Sequence, residues 1–171
     1  MTRKLILSSP LLEITISRLC QELIENQIKD VETVILGLQP RGIYFAERIA
    51  KELGKQLNQT FQVGKLDATF FRDDYRRRDT IAPNSTDISF LIENKRVILV
   101  DDVLNSGRTL LYGLSVFLNI PTKKIRTAVL VDRSHKLFPI STDYAGYTIS
   151  TVSQEHISVV FDKNKEAVYL S

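Results

Sequence analysis

A chain of 171 residues with 43% hydrophobic and 25% charged residues fits one globular domain with its own core, and excludes a disordered or low-complexity protein. No apolar run approaches the roughly 18 residues of a membrane span, and the basic start Met1 to Lys4 precedes only three apolar residues before Ser8, too short for a signal-peptide core. The net charge of +3 neither demands nor excludes a polyanionic partner. Cys20 is the only cysteine, which rules out an internal disulfide, and its place beside Leu19 and Leu23 predicts a small buried hydrophobe. These features together lead us to expect a cytoplasmic protein without a membrane partner.

In chain order, Ser8-Ser9-Pro10 reads as a helix start, a capping serine followed by a proline that the first turn tolerates. Leu12, Ile16, Leu19, Leu23 and Ile28 continue an apolar face to about residue 28. Val31 to Leu38 predicts a buried strand, Arg41 to Leu57 a helix, and Phe61 to Phe71 an alternating strand. Asp73 to Asn84 is polar and reads as a long exposed loop, with a basic cluster at Arg72, Arg76, Arg77 and Arg78. Arg96 to Val100 predicts a second buried strand, Gly107 to Asn119 a helix, and Lys124 to Val131 a third buried strand. Lys123, Lys124 and Arg126 flank that strand. Tyr144, Thr148 to Thr151, Ile157 to Phe161 and Ala167 to Leu170 read as short strands. Strands alternating with helices imply an α/β fold: a mostly parallel sheet with helices on both faces, and active residues at the carboxyl ends of the strands.

The most informative stretch is Val97 to Thr109. Four apolar residues run into Asp101 and Asp102, and Ser106-Gly107-Arg108-Thr109 then opens an apolar helical pattern. Carboxylates accept hydrogen bonds from hydroxyls, and a helix N-terminus offers free N–H groups to a phosphate. The layout suits a phosphorylated sugar. A Walker loop would need Gly-Lys-Ser/Thr before the helix and a further upstream glycine. Here Arg108 stands in the lysine place and that glycine is absent.

Residues 97–109 resemble the phosphoribosyl-pyrophosphate (PRPP) motif of type I phosphoribosyltransferases. The resemblance implies that Asp101 and Asp102 hold the ribose hydroxyls, and that Val103, Leu104, Asn105, Ser106, Gly107, Arg108 and Thr109 carry the motif on into the 5-phosphate loop. Gly37-Leu-Gln-Pro-Arg-Gly42 stands where the family has its pyrophosphate loop, so Pro40, Arg41 and Gly42 are assigned to PRPP as well. Arg41 brings a forked donor suited to a diphosphate, and Gly42 permits close backbone approach. Asp101, Asp102 and Arg41 are the expected catalytic residues.

Val129-Leu-Val-Asp-Arg-Ser-His135, Leu137-Phe-Pro-Ile140 and Asp143-Tyr-Ala-Gly146 are similar to one branch of the family, the bifunctional pyrimidine-operon attenuators and uracil phosphoribosyltransferases (PyrR). There this segment forms a small hood over the base, so Arg133 and the backbone near Ile157 are expected to line a uracil pocket. Arg41-Gly-Ile-Tyr-Phe-Ala46 and Phe71-Arg-Asp-Asp74 match in family order, which extends the resemblance from about residue 10 to the end and implies a single phosphoribosyltransferase domain over 1–171. By the same analogy, the loop after Asp73 closes over the site.

The implied reaction moves the 5-phosphoribosyl group from PRPP to uracil, with Mg2+ held by pyrophosphate and ribose oxygens and no dedicated protein metal cage. Purine enzymes of the family carry a carboxylate where this chain has Asn105, which argues against hypoxanthine or guanine. A transferase for another base and a catalytically silent nucleotide sensor remain as alternatives. So does a uridine-nucleotide-sensing attenuator that binds a messenger-RNA leader hairpin through the first helix. For that role the helix keeps Arg18 and has Ser17 as a hydroxyl stand-in for the branch's Thr, but it has Gln21 in place of a His and Asn26 where a basic residue is expected, and fewer phosphate contacts mean weaker binding. The resemblance also implies a homodimer or larger homo-oligomer.

Overall fold

The computed structural model describes residues 3–27, 30–68, 86–162 and 165–171. Its elements are, in order, β1 (Lys4–Leu7), α1 (Ser9–Glu25), β2 (Thr33–Gln39), α2 (Gly42–Leu57), β3 (Gln62–Asp67), β4 (Arg96–Leu104), α3 (Arg108–Ser115), β5 (Lys124–Asp132), β6 (Tyr144–Thr148), β7 (Ile157–Asp162) and β8 (Lys165–Leu170). The expected loop at 73–84, the basic cluster at 72–78 and the Phe71–Asp74 match lie outside the described residues.

Five strands form a parallel sheet in the order β3-β2-β4-β5-β6. β4 is buried on both faces, and its residues alternate between two cores. Val97 and Leu99 meet Leu36, Leu38, Leu110 and Phe117 on the face that α3 covers. Ile98 and Val100 meet Ile35, Leu130, Leu19 and Phe45 on the face that α1 and α2 cover. Each fully buried aliphatic side chain contributes about 1.5–3 kcal/mol, so a one-residue slip of β4 would exchange one whole core set for the other.

The sheet order places the site. From β2 the chain crosses to β3 on one side and then to β4 on the other, while α2 and α3 lie on opposite faces. A crevice therefore opens where the carboxyl ends of β2 and β4 diverge.

A second, antiparallel sheet has the order β1-β8-β7. The ends of the segment 128–146, expected as a hood, belong to β5 and the edge strand β6 of the main sheet, while Leu137, Phe138 and Ile140 in the loop between them pack against Ser106, Gly107 and Arg108. The separate small sheet joins residues from both ends of the chain. It docks on the helices through Phe45 stacked on Phe161 at 6.3 Å and through Arg48 paired with Glu166 at 3.0 Å.

Ser8 sits at the N-cap of α1, but its hydroxyl makes no capping hydrogen bond; its carbonyl accepts the Leu12 N–H at 2.8 Å. β4 runs to Leu104 rather than stopping at Val100, so both acids lie within the strand. Helix α3 stops at Ser115 and continues only as turns, short of Asn119. Cys20 is buried as expected, and burial, with Glu52 as a smaller cause, pushes its thiol up to about 12. At the foot of β4, buried Arg96 donates through both terminal nitrogens to the Leu23 carbonyl in the last turn of α1, at 3.3 Å each. Burial lowers the pKa of its guanidinium, against an opposing contribution from Tyr144. Among the described residues, no helix is long and apolar enough to cross a membrane.

Candidate active site

Asp101 and Asp102 lie near the carboxyl end of β4, only 3% and 1% exposed. Backbone amides hold one corner of each: Asp101 Oδ1 accepts the Asp102 N–H and Asp102 Oδ1 accepts the Val103 N–H, both at 2.9 Å. A charged carboxylate buried this deeply requires such hydrogen bonds.

The next turn carries the chain onto α3. Gly107 has φ +87°, and a Cβ there would collide with Ile140 Cγ2; a side chain at that place is excluded on both counts. Ser106 is held from behind, because its carbonyl accepts the N–H groups of Leu137 and Phe138 at 2.9 and 3.0 Å. Arg108 lies over the Phe138 ring, 4.8 Å from its centroid. The α3 ladder begins with Leu111 N–H to Gly107 C=O, and within the turn the Arg108 N–H donates to Ser106 Oγ at 3.3 Å.

Across the crevice, Arg41 occupies the N-cap of α2 after the cis Gln39–Pro40 peptide. Gly42 packs against β4 so closely that a Cβ would lie 2.6 Å from the Val100 carbonyl oxygen and 2.9 Å from Asp101 Cα. The loops that precede α2 and α3 are thus held against the same strand.

One pocket is lined by Arg41, Asp101, Asp102, Val103, Leu104, Asn105, Ser106, Gly107, Thr109, Arg133 and Ile157, all expected from sequence. Pro40, Gly42 and Arg108 belong to the same loops but do not line it. Leu110, Val129 and His156 line it and were not anticipated. His156 comes from the small sheet, where it exchanges backbone hydrogen bonds with Ser171; no local pattern near residue 156 announces this.

Arg133 is 4% exposed, and its guanidinium reaches two loops. Nη1 donates to Asn105 Oδ1 at 2.8 Å, Nε and Nη2 donate to Thr151 Oγ1 at 3.0 and 2.9 Å, and Nη2 donates to the Glu155 carbonyl at 2.7 Å. Burial lowers its pKa, with Glu155 opposing. Asp132 fixes the turn, accepting the Ser134 N–H at 2.8 Å and pairing with Lys136 at 3.1 Å.

Ser17 and Arg18 lie on α1, apart from this pocket. Gln56 donates to Ser17 Oγ at 3.3 Å. Arg18 pairs with Glu22 at 2.5 Å and donates to the Gly146 carbonyl of β6 at 2.7 Å.

The model of the phosphoribosyl transferase domain matches residues 3–164, and the chain belongs to that family. It is 39% identical over 165 residues to bifunctional protein PyrR of Ligilactobacillus salivarius, covering 94% of this chain and 92% of that one. Bifunctional protein pyrR of Enterococcus faecalis is 36% identical over 168 residues, covering 98% and 94%. Within the family the chain stands with the PyrR proteins. Among solved structures, a hypoxanthine phosphoribosyltransferase of Trypanosoma cruzi in a ternary substrates complex shares the fold at TM-score 0.76 and 15% identity, covering 98% of this chain and 95% of that one.

Proposed function

We propose that the chain, as a single domain over residues 1–171, transfers the 5-phosphoribosyl group of PRPP to uracil in the cytoplasm, giving uridine monophosphate and pyrophosphate. The observation that carries this reading is the buried pair Asp101 and Asp102 in one pocket with Arg41 and with the Asn105–Thr109 loop at the start of α3. The acids would hold the ribose hydroxyls, the loop amides the 5-phosphate, and Arg41 the pyrophosphate. As the bond from C1 to the pyrophosphate oxygen breaks, positive charge develops on the sugar. Uracil N1 then bonds to C1, and its proton passes to the departing pyrophosphate. Holding both reactants in line and neutralising the leaving group supply the acceleration.

Asp101 and Asp102 are hard oxygen donors, which fits Mg2+. Among the described residues, no group of three or more His, Cys, Asp or Glu gathers as a metal cage. The other ligands would then be PRPP oxygens and water. Bound there, the cation adds positive charge against the departing pyrophosphate.

Asn105 supports a pyrimidine. Its Oδ1 accepts from Arg133, and an amide at this place cannot act as an acid or base toward a purine. Pyrophosphate release from PRPP should be seen with uracil and not with hypoxanthine or guanine. Turnover with a purine alone would overturn the base assignment, and turnover with no base would overturn the enzyme.

RNA regulation is the second reading, favoured by the half-exposed Arg18 on α1 and by the bifunctional relatives. Arg18→Ala should weaken leader-hairpin binding and reduce its salt dependence. No hairpin binding by the unmodified protein at low salt with uridine monophosphate present would remove this reading. Arg18 also holds the edge strand β6, so the substitution should lower the melting temperature slightly, and both readouts are needed.

A further inference from the structure

We propose that Arg133 acts as a strut between the 5-phosphate loop and the segment roofing the base pocket, with Thr151 and Glu155 as its positioning partners. The proposal rests on the PRPP reading of the pocket and extends it to three residues that act through one another.

The geometry is specific. Asn105, in the phosphate loop, lies 28 residues before Arg133; Thr151 and Glu155, in the approach to β7, lie 18 and 22 residues after it. One planar guanidinium joins both sides, and each of its three nitrogens donates to a named acceptor. The fork is rigid, so a shift of Asn105 is passed on rather than absorbed.

The backbone at the strut's root is joined both ways as well. Arg133 N–H donates to the Leu104 carbonyl at 3.1 Å, and Ile149 N–H donates to the Asp132 carbonyl at 2.9 Å. At the far end the roof is a closed turn: Glu155 Oε2 accepts the Val152 N–H at 2.8 Å, and Glu155 N–H donates to the Val152 carbonyl at 3.0 Å. The next two residues, His156 and Ile157, line the pocket. Glu155 therefore shapes the turn, anchors Arg133 through its carbonyl and offsets the buried positive charge.

Filling the phosphate loop should then firm up the base roof, so that bound sugar phosphate raises affinity for the base. Coupling of this kind needs a physical element that both sites bias, and the strut is that element.

The test uses Thr151→Val, which removes the hydroxyl acceptor at nearly constant shape, and Thr151→Ser, which restores it. Ribose 5-phosphate serves as the probe of the phosphate loop, with amide hydrogen exchange followed over residues 149–157. The unmodified protein and T151S should gain protection there on binding the probe, while T151V should bind it within about twofold as tightly and gain none. In turnover, T151V should raise the KM for uracil about tenfold, the scale of one hydrogen bond to a charged group, while ribose 5-phosphate binding measured without base stays nearly unchanged. Equal protection in T151V, or a KM for uracil that does not change, would overturn the strut. A protein that forms uridine monophosphate yet shows no protection of 149–157 loses only the strut. One that binds no ribose 5-phosphate loses the PRPP reading and the strut together.

Discussion

Replacing Asp101 and Asp102 together by asparagine should lower kcat/KM for PRPP by about 10²- to 10⁴-fold and leave the fold in place. The reason lies in which corner of each side chain does what. Backbone amides already use one oxygen of each carboxylate, at 2.9 Å, and an asparagine keeps that oxygen. The other corner changes from a charged acceptor to an NH2 donor, which cannot accept from a sugar hydroxyl. Losing two hydrogen bonds to charged acceptors, at about 1.5–3 kcal/mol each, sums to about 3–6 kcal/mol, at about 1.4 kcal/mol per tenfold. Steady-state kinetics of pyrophosphate release measures the loss, and circular dichroism checks the fold. A doubly substituted protein with unchanged kinetics would show that these acids do not hold the ribose.

Gly42→Ala should damage both the fold and the site. The added carbon meets backbone, 2.6 Å from the Val100 carbonyl oxygen and 2.9 Å from Asp101 Cα, so relief requires moving either β4 or the start of α2. Overpacking of this kind costs about 1–3 kcal/mol, a fall of roughly 2–12 °C in melting temperature for a chain of this size. Because the displaced atoms carry Arg41 on one side and Asp101 on the other, kcat/KM for PRPP should fall as much as about 10²-fold. Gly113→Ala is the control. Its carbon meets only the ends of the Leu38 and Leu99 side chains, at 2.9 and 3.0 Å, which can rotate. It should cost stability while sparing PRPP kinetics; equal kinetic damage in both variants would mean that loop position is not what Gly42 protects.

The first prediction concerns residues that stand close together in the chain. Asp101, Asp102 and Gly107 lie within seven consecutive positions, and a strand followed by a helix N-terminus is a geometry suited to a phosphate. The two-sided burial of β4 was legible in the same way, from its unbroken apolar run. Strand ends were less so. Extension of β4 through the acids depends on β5 pairing with Val103 and Leu104 at Val131 and Asp132, which a hydrophobic pattern does not record.

The hood shows the limit more sharply. The ends of the segment 128–146 are strands that pattern can suggest, but that its loop braces Ser106 through Leu137 and Phe138 depends on packing alone. β1 was missed altogether: four residues have no periodicity to read, and they become a strand only because β8 lies alongside them.

The chain's own order of residues therefore determined which chemical groups stand together: an acid pair, a glycine turn, a forked cation after Pro40 and an amide at position 105. Only the tertiary structure decided what those groups are held by. Arg133 reaches Asn105, Thr151 and Glu155 across gaps of 28, 18 and 22 residues, and Leu137 and Phe138 brace Ser106 from another loop. Contacts at such separations arise from packing the sheet against its helices. Local propensity carries no information about them, because each partner's own segment would look the same without the other.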